Sequence, residues 1–316
     1  MLAIVDIRNL TRAYAERTAV NDLSLAVSAG EIFGFLGPNG SGKTTLFRIL
    51  STLMPATSGE VVYNFSGSSF TLGASSLFAI RQHLGVVFQS PSLDNQLTPY
   101  ENLRHHGHLY GLRGAELARR IETLLGRVNL LDRMNDRVGS FSGGMRRRVE
   151  IAKGLLNHPA LLLLDEPSTG LDPGARIDLW SYLRQIQAEG VTILVTTHLM
   201  EEADLCSRLA IMHQGRAVAV GTPTELKSQI GGDVITLQSP EPEKALGFIK
   251  ERLGLTPTRW ENTLRIEHAD GAHLIPRLIE ALPNLVDSIS VGKPTLQDVF
   301  IRTTGHRLSG DIPGQP

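Results

Sequence analysis

"GPNGSGKT", residues 37–44, stands between the apolar run "EIFGFL" (31–36) and the helix-forming run "KTTLFRILSTLM" (43–54). It fits G-x-x-x-x-G-K-[ST] in the strand–loop–helix setting that gives the pattern its meaning. Its glycines let successive backbone N–H groups turn inward toward phosphate oxygens, where a Cβ would stand in the way. Gly37, Pro38, Asn39, Gly40, Ser41 and Gly42 are therefore expected to cradle a nucleoside triphosphate. Lys43 is expected to reach its β- and γ-phosphates, and the Thr44 hydroxyl to coordinate Mg²⁺. An ordinary glycine-rich turn would require neither the lysine nor the helix after it.

Further along, "ALLLLDEP" (160–167) and "VTILVTTH" (191–198) read as buried parallel strands, with the helical run "GARIDLWSYLRQIQAEG" (174–190) between them. Strand–helix–strand alternation predicts an α/β sheet covered on both faces. Asp165 ends the first of these strands, where a carboxylate can approach Mg²⁺ through water. Glu166 comes next as the chain turns away, placed to orient or deprotonate an attacking water. Residues 2–36 predict short strands, and the uncharged stretch 61–80 a strand, an irregular loop, then a strand or helix. From 99 to 157 the spacing is helical and charged. Within it lies "FSGGMRRR" (141–148), a serine and two glycines at a helix start. Such a start offers unpaired N–H groups and a positive dipole end, a cradle for an anion with no place of its own for the rest of a nucleotide.

The chain has 316 residues, a net charge of −1 and 41% hydrophobic residues. That suits a globular protein with a large core and gives no global field toward DNA or an acidic membrane. Arg146, Arg147 and Arg148 read as a solvated or ion-paired helix face, so no nucleic acid is expected. The single cysteine, Cys206, cannot form an intrachain disulfide and fits a reducing compartment. No run approaches the ~18 apolar residues of a membrane span, and the N-terminus lacks the basic start and apolar core of a signal peptide. His105, His106 and His108 lack companions at ligand spacing and predict a structural or surface role.

With Gly37–Thr45, Gln89 in "VVFQSPS", "FSGGM", "LLLLDEPSTGLDP" and His198 in "VTTHLMEEAD", residues 3–230 closely resemble the nucleotide-binding subunits of ATP-binding cassette (ABC) transporters. The resemblance implies a P-loop NTPase fold of the ABC type, with antiparallel β and helical subdomains, binding ATP and Mg²⁺ and hydrolysing ATP. Two such subunits, identical or homologous, pack head to tail, so Ser142, Gly143 and Gly144 of one cap the ATP held by the other. In this family Gln89 would contact Mg²⁺ and water and sense a membrane permease. His198 would grip the γ-phosphate, Asp172 would cross the dimer seam, and Tyr14 would stack on adenine beside a cradle that extends to Thr45. The catalytic set is then Lys43, Gln89, Glu166 and His198, and the metal set Thr44, Gln89 and Asp165. Location would be peripheral, on the cytoplasmic face of the cell membrane.

The signature begins with Phe141 and ends with Met145, where the commonest family form has Leu and Gln, but its Ser-Gly-Gly is intact. "SGGM" followed by arginines, with "KPTLQDVFIRTTG" (293–305), resembles the drug-resistance subgroup, exporters that pair a separate ATPase with an ABC-2 type permease. A soluble cassette ATPase of translation or DNA maintenance is the alternative. It is disfavoured by a single phosphate loop and by the mere hundred or so residues between Thr44 and Phe141. Residues 231–305 predict strand, helix, two strands, helix, strand and a final helix. That is the split β-α-β-β-α-β order of a small α+β domain, expected to extend the dimer contact or stabilise the subunit. Residues 306–316 are expected to be a flexible tail.

Overall fold

In the computed structural model, which describes residues 3–260 and 262–305, the N-terminal stretch forms two long strands instead of the short ones expected. β1 (Ala3–Tyr14) and β2 (Arg17–Ser28) pair antiparallel. Asn9, with φ 46°, sits where the register shifts between Ile7 and Leu10, and its Nδ2 donates to Asp22 Oδ1 at 3.0 Å. A bulge thus absorbs the polar residue within the strand. β3 (Ile32–Leu36) leads through the 37–42 loop into α1 (Lys43–Leu50). The uncharged stretch is a hairpin: β4 (Ser58–Phe65) and β5 (Ser68–Thr71) pair about Ser66-Gly67. Both turn residues have positive φ, 47° and 85°, which matches the twist of the flanking strands. α2 (Leu77–Gln82) comes next, and the antiparallel sheet has the order β2-β1-β4-β5.

After β6 (Leu84–Val87) come three helices, α3 (Pro99–Leu109), α4 (Gly114–Arg127) and α5 (Gly143–Gly154). Thr98 and Glu101 close a capping box at the start of α3. The chain then alternates through β7 (Leu161–Asp165), α6 (Pro173–Ala188), β8 (Thr192–Thr197), α7 (Met200–Ala203), β9 (Arg208–His213) and β10 (Arg216–Gly221). The second sheet has the order β10-β9-β3-β8-β7-β6, with β7 and β8 parallel neighbours as their apolar runs predict. Leu162, Leu164, Ile193 and Val195 enter one core with the helices. Leu161, Leu163, Leu194 and Phe35 enter the other with the antiparallel sheet. The consecutive apolar residues Leu161–Leu164 and Ile193–Val195 are explained by this burial of both faces.

The register pairs Leu36 with Thr197 and Asp165 with Thr196. Gly37, Glu166 and His198 therefore leave the carboxyl edge of neighbouring strands together, the edge at which such sheets hold ligands.

The chain divides into two compact units after Val220, earlier than the 230/231 boundary read from the sequence. The reason is local: α8 (Pro223–Ser228) packs on α11 (Leu296–Thr304), and Arg302 donates to Gln229 O, so residues 221–230 belong with the C-terminal unit. In that unit β11 (Asp233–Gln238), α9 (Pro242–Leu253), β12 (Thr258–Trp260), β13 (Thr263–His268), α10 (Gly271–Ala281) and β14 (Ser288–Gly292) form an antiparallel sheet in the order β12-β13-β11-β14. Ile235, Leu237, Leu264 and Ile266 pack with the helices. The tail 306–316 lies outside the described residues. Among those described, no helix is long and apolar enough to cross a membrane.

Candidate functional site

Gly42 caps α1 at φ 105°, and a Cβ there would lie 2.1 Å from Ala19 O. Only glycine fits this turn into the helix. Lys43 is buried, and its Nζ donates to the carbonyls of Gly37 (2.8 Å) and Pro38 (3.0 Å), 3.9 Å from Glu166 Oε1. Burial pulls its ammonium pKa below the usual lysine range, against the opposing pull of Glu166 and Asp165. Ser41 Oγ is buried with no hydrogen-bond partner among the described residues, a hydroxyl donor inside the loop. Tyr14, Arg17, Asn39, Gly40, Lys43 and Glu166 line a cavity of about 230 Å³ onto which Thr44 and Thr45 also open.

Asp165 and Glu166 are latched by Thr196. Its hydroxyl donates to Asp165 Oδ1 at 2.5 Å and accepts from Glu166 N at 3.1 Å, and Glu166 N also donates to Thr196 O at 3.1 Å. Glu166 is held at φ 44°, a backbone conformation side chains rarely adopt and one that aims its carboxylate off the strand end. Burial raises the Asp165 carboxyl above the ordinary range despite the Thr196 bond. Around Glu166 Oε2 converge Gln89 Nε2, Thr169 Oγ1 and His198 Nδ1, each at 3.2 Å. Three side chains, two of them from distant parts of the sequence, thus meet at one carboxylate.

Tyr14 is 43% exposed; the Arg12 guanidinium lies 5.0 Å from its ring centroid, and its hydroxyl reaches Met54 Sδ at 3.3 Å. Arg17 donates to Gly40 O, so an arginine from the β1–β2 hairpin braces the loop.

Ser142, Gly143 and Gly144 do not join this cavity. Ser142 caps α5, its hydroxyl accepting from Met145 N at 3.2 Å. A Cβ on Gly144 would lie 3.0 Å from Ala175 Cβ, so the signature neighbours the start of α6. Asp172 caps that helix by accepting from Ala175 N at 3.0 Å.

Thr44, Asp165 and Gln89 offer only oxygen donors, the kind a hard cation such as Mg²⁺ prefers. Gln89 spends its amide N–H on Glu166 and keeps its oxygen as the candidate donor. No three His, Cys, Asp or Glu converge on a metal site among the described residues. His105 and His108 do not gather ligands, while His106 packs 5.1 Å from the Tyr110 ring, where burial pushes its imidazole pKa down to about 4.

Arg17 and Thr196 escape a reading of the sequence, because neither belongs to a motif; both act through pairings made across the chain. Arg147, expected only as part of a charged face, is buried beside Glu150 at 3.0 Å.

A model of the ABC transporter family matches residues 20–169, and one of the C-terminal domain of DrrA1-3-like ATP-binding proteins matches residues 221–304. The chain is 37% identical to the daunorubicin resistance ATP-binding protein DrrA2 of Streptomyces coeruleorubidus, over 94% of both chains. It is 42% identical to a Nod factor export ATP-binding protein I of Burkholderia lata, over 97% of this chain and 99% of that one. Among solved structures it resembles cbiO1 of Clostridium perfringens, part of the ABC transporter complex cbiONQ (TM-score 0.66, 25% identity, 80% of this chain and 96% of that one). It also resembles the dimeric ATP-binding cassette MJ0796 bound to ADP and Pi (TM-score 0.61, 28% identity, 69% and 98%).

Proposed function

The chain belongs to the ATP-binding proteins of ABC transporters, and from that membership we propose that it drives export through a separate membrane permease. It is an ATPase subunit. The naming of relatives for drug resistance and Nod factor export supports outward transport.

The observation that carries the catalytic reading is the ring of Gln89, Thr169 and His198 around Glu166, with Lys43 at 3.9 Å. The loop N–H groups, Ser41 and Lys43 would bind the β- and γ-phosphates of ATP, with Tyr14 against adenine. Mg²⁺, held by Thr44, Asp165 and Gln89, would supply positive charge to the phosphates. Gln89 would hold a water beside Glu166 while His198 grips the γ-phosphate; the Glu166 carboxylate takes the water's proton as its oxygen bonds to the γ-phosphorus and the bond to the β-phosphate oxygen breaks. Ser142, Gly143 and Gly144 would serve the ATP of a second subunit, with Asp172 at the seam; their absence from this chain's own cavity supports that reading.

Glu166→Gln keeps the shape and removes the base. Turnover should fall about 10²–10⁴-fold while ATP still binds. Turnover at the parental rate would refute the role.

A further inference from the structure

Three charged residues on one face of α5, at spacing of three, all reach back to the loop that carries Gln89. Arg147 Nη1 donates to Phe88 O (2.7 Å) and its Nη2 to Gln89 O (3.2 Å), while Nη1 also meets Glu150 Oε2 at 3.0 Å. Glu150 Oε1 accepts from Ser92 N at 2.6 Å and from Ser92 Oγ at 3.3 Å. Lys153 Nζ donates to Ser92 O at 3.1 Å and to Ser92 Oγ at 2.5 Å. The side chains of Arg147 and Glu150 are 6% and 2% exposed. Buried charges of this kind are costly to hold, so their bonds fix the loop to the helix firmly.

The helix so attached is the one that Ser142 caps, and Gln89 donates to Glu166 Oε2 at 3.2 Å. An unbroken path of bonds therefore runs from the signature end of α5, through Arg147, to the Gln89 backbone and on to the carboxylate assigned as base. We propose that Arg147, seconded by Glu150 and Lys153, is a positioning residue that couples the two nucleotide sites of a dimer. When Ser142–Gly144 close on the partner's ATP, the displacement of α5 is passed to Gln89 and Glu166 at this chain's own ATP. The proposal rests on the head-to-tail arrangement of two subunits. Arginine suits the task because its planar fork presents separate N–H groups to both carbonyls and the carboxylate in a fixed geometry.

The test uses the full chain and compares the parent with Arg147→Lys and Lys153→Met. ATP hydrolysis is followed against ATP concentration, and binding of a fluorescent ATP is measured on the same samples, with thermal midpoints to identify folded protein. The parent should show a Hill coefficient above 1, two sites setting the ceiling at 2. Arg147→Lys should lower kcat about tenfold and bring the coefficient to 1, with fluorescent-ATP affinity changed less than about twofold. Lys153→Met, at the half-buried end of the row, should do the same to a smaller degree, about threefold in kcat, and decides the matter should Arg147→Lys not fold. Parental kcat and coefficient in a folded variant, a loss confined to KM and binding, or a parental coefficient of 1 would overturn the proposal. Failure of the underlying site reading looks different: Lys43→Ala would then bind the fluorescent ATP as the parent does.

Discussion

The phosphate loop and the signature are both glycine-bearing helix starts, yet their surroundings differ sharply. The loop is enclosed by its own chain: Lys43 is tied to Gly37 and Pro38, Arg17 to Gly40, and a cavity opens before it. The signature has its capping bond to Met145 N and the nearby start of α6, with no cavity shared with the loop. One is built to hold a ligand unaided, whereas the other presents a helix start to a ligand that this chain does not itself cradle. That contrast is the physical case for a site divided between two subunits.

The contrast can be broken at either end. Lys43→Ala removes the charge-assisted bonds of the complete half, worth about 1.5–3 kcal/mol, and should weaken ATP binding about 10–100-fold in calorimetry. Unaltered affinity would contradict the cradle. Ser142→Ala strikes the other half, so turnover should fall about tenfold while binding to the isolated subunit holds. It also removes the α5 cap and should cost about 0.5–2 kcal/mol in chemical denaturation. A loss of affinity in the isolated subunit would place Ser142 at its own chain's nucleotide. Tyr14→Ala should have the smallest effect, about fivefold in affinity, from the lower end of aromatic–base stacking at ~1 kcal/mol. Tyr14→Phe should bind as the parent does, and a loss there would assign the effect to the Met54 contact instead of the ring.

Much of this is legible in the sequence for identifiable reasons. The phosphate loop and the Asp165–Glu166 pair are local: a short pattern and a strand end specify them. The alternation of β7, α6 and β8 comes from apolar runs separated by a helical period. Long-range pairings leave no such trace. Thr196 latches the carboxylates from a neighbouring strand, Arg17 reaches the loop from a hairpin, and Arg147 grips Gln89 across 58 positions. The full length of β1 and the tight Ser66-Gly67 turn are hidden because a bulge and positive-φ turn residues carry the chain through polar positions that usually interrupt a strand. The boundary at Val220 is hidden because α8 contacts α11, and their separation in the sequence gives no hint of that.

The central claim is that a triphosphate sits between two copies. The most direct measurement is the mass in solution of the Glu166→Gln chain, with and without Mg²⁺-ATP, by light scattering. A divided site predicts a shift on adding nucleotide from the 34.4 kDa of one chain to twice that value. A chain that binds ATP to saturation and stays at the mass of one copy would contradict it.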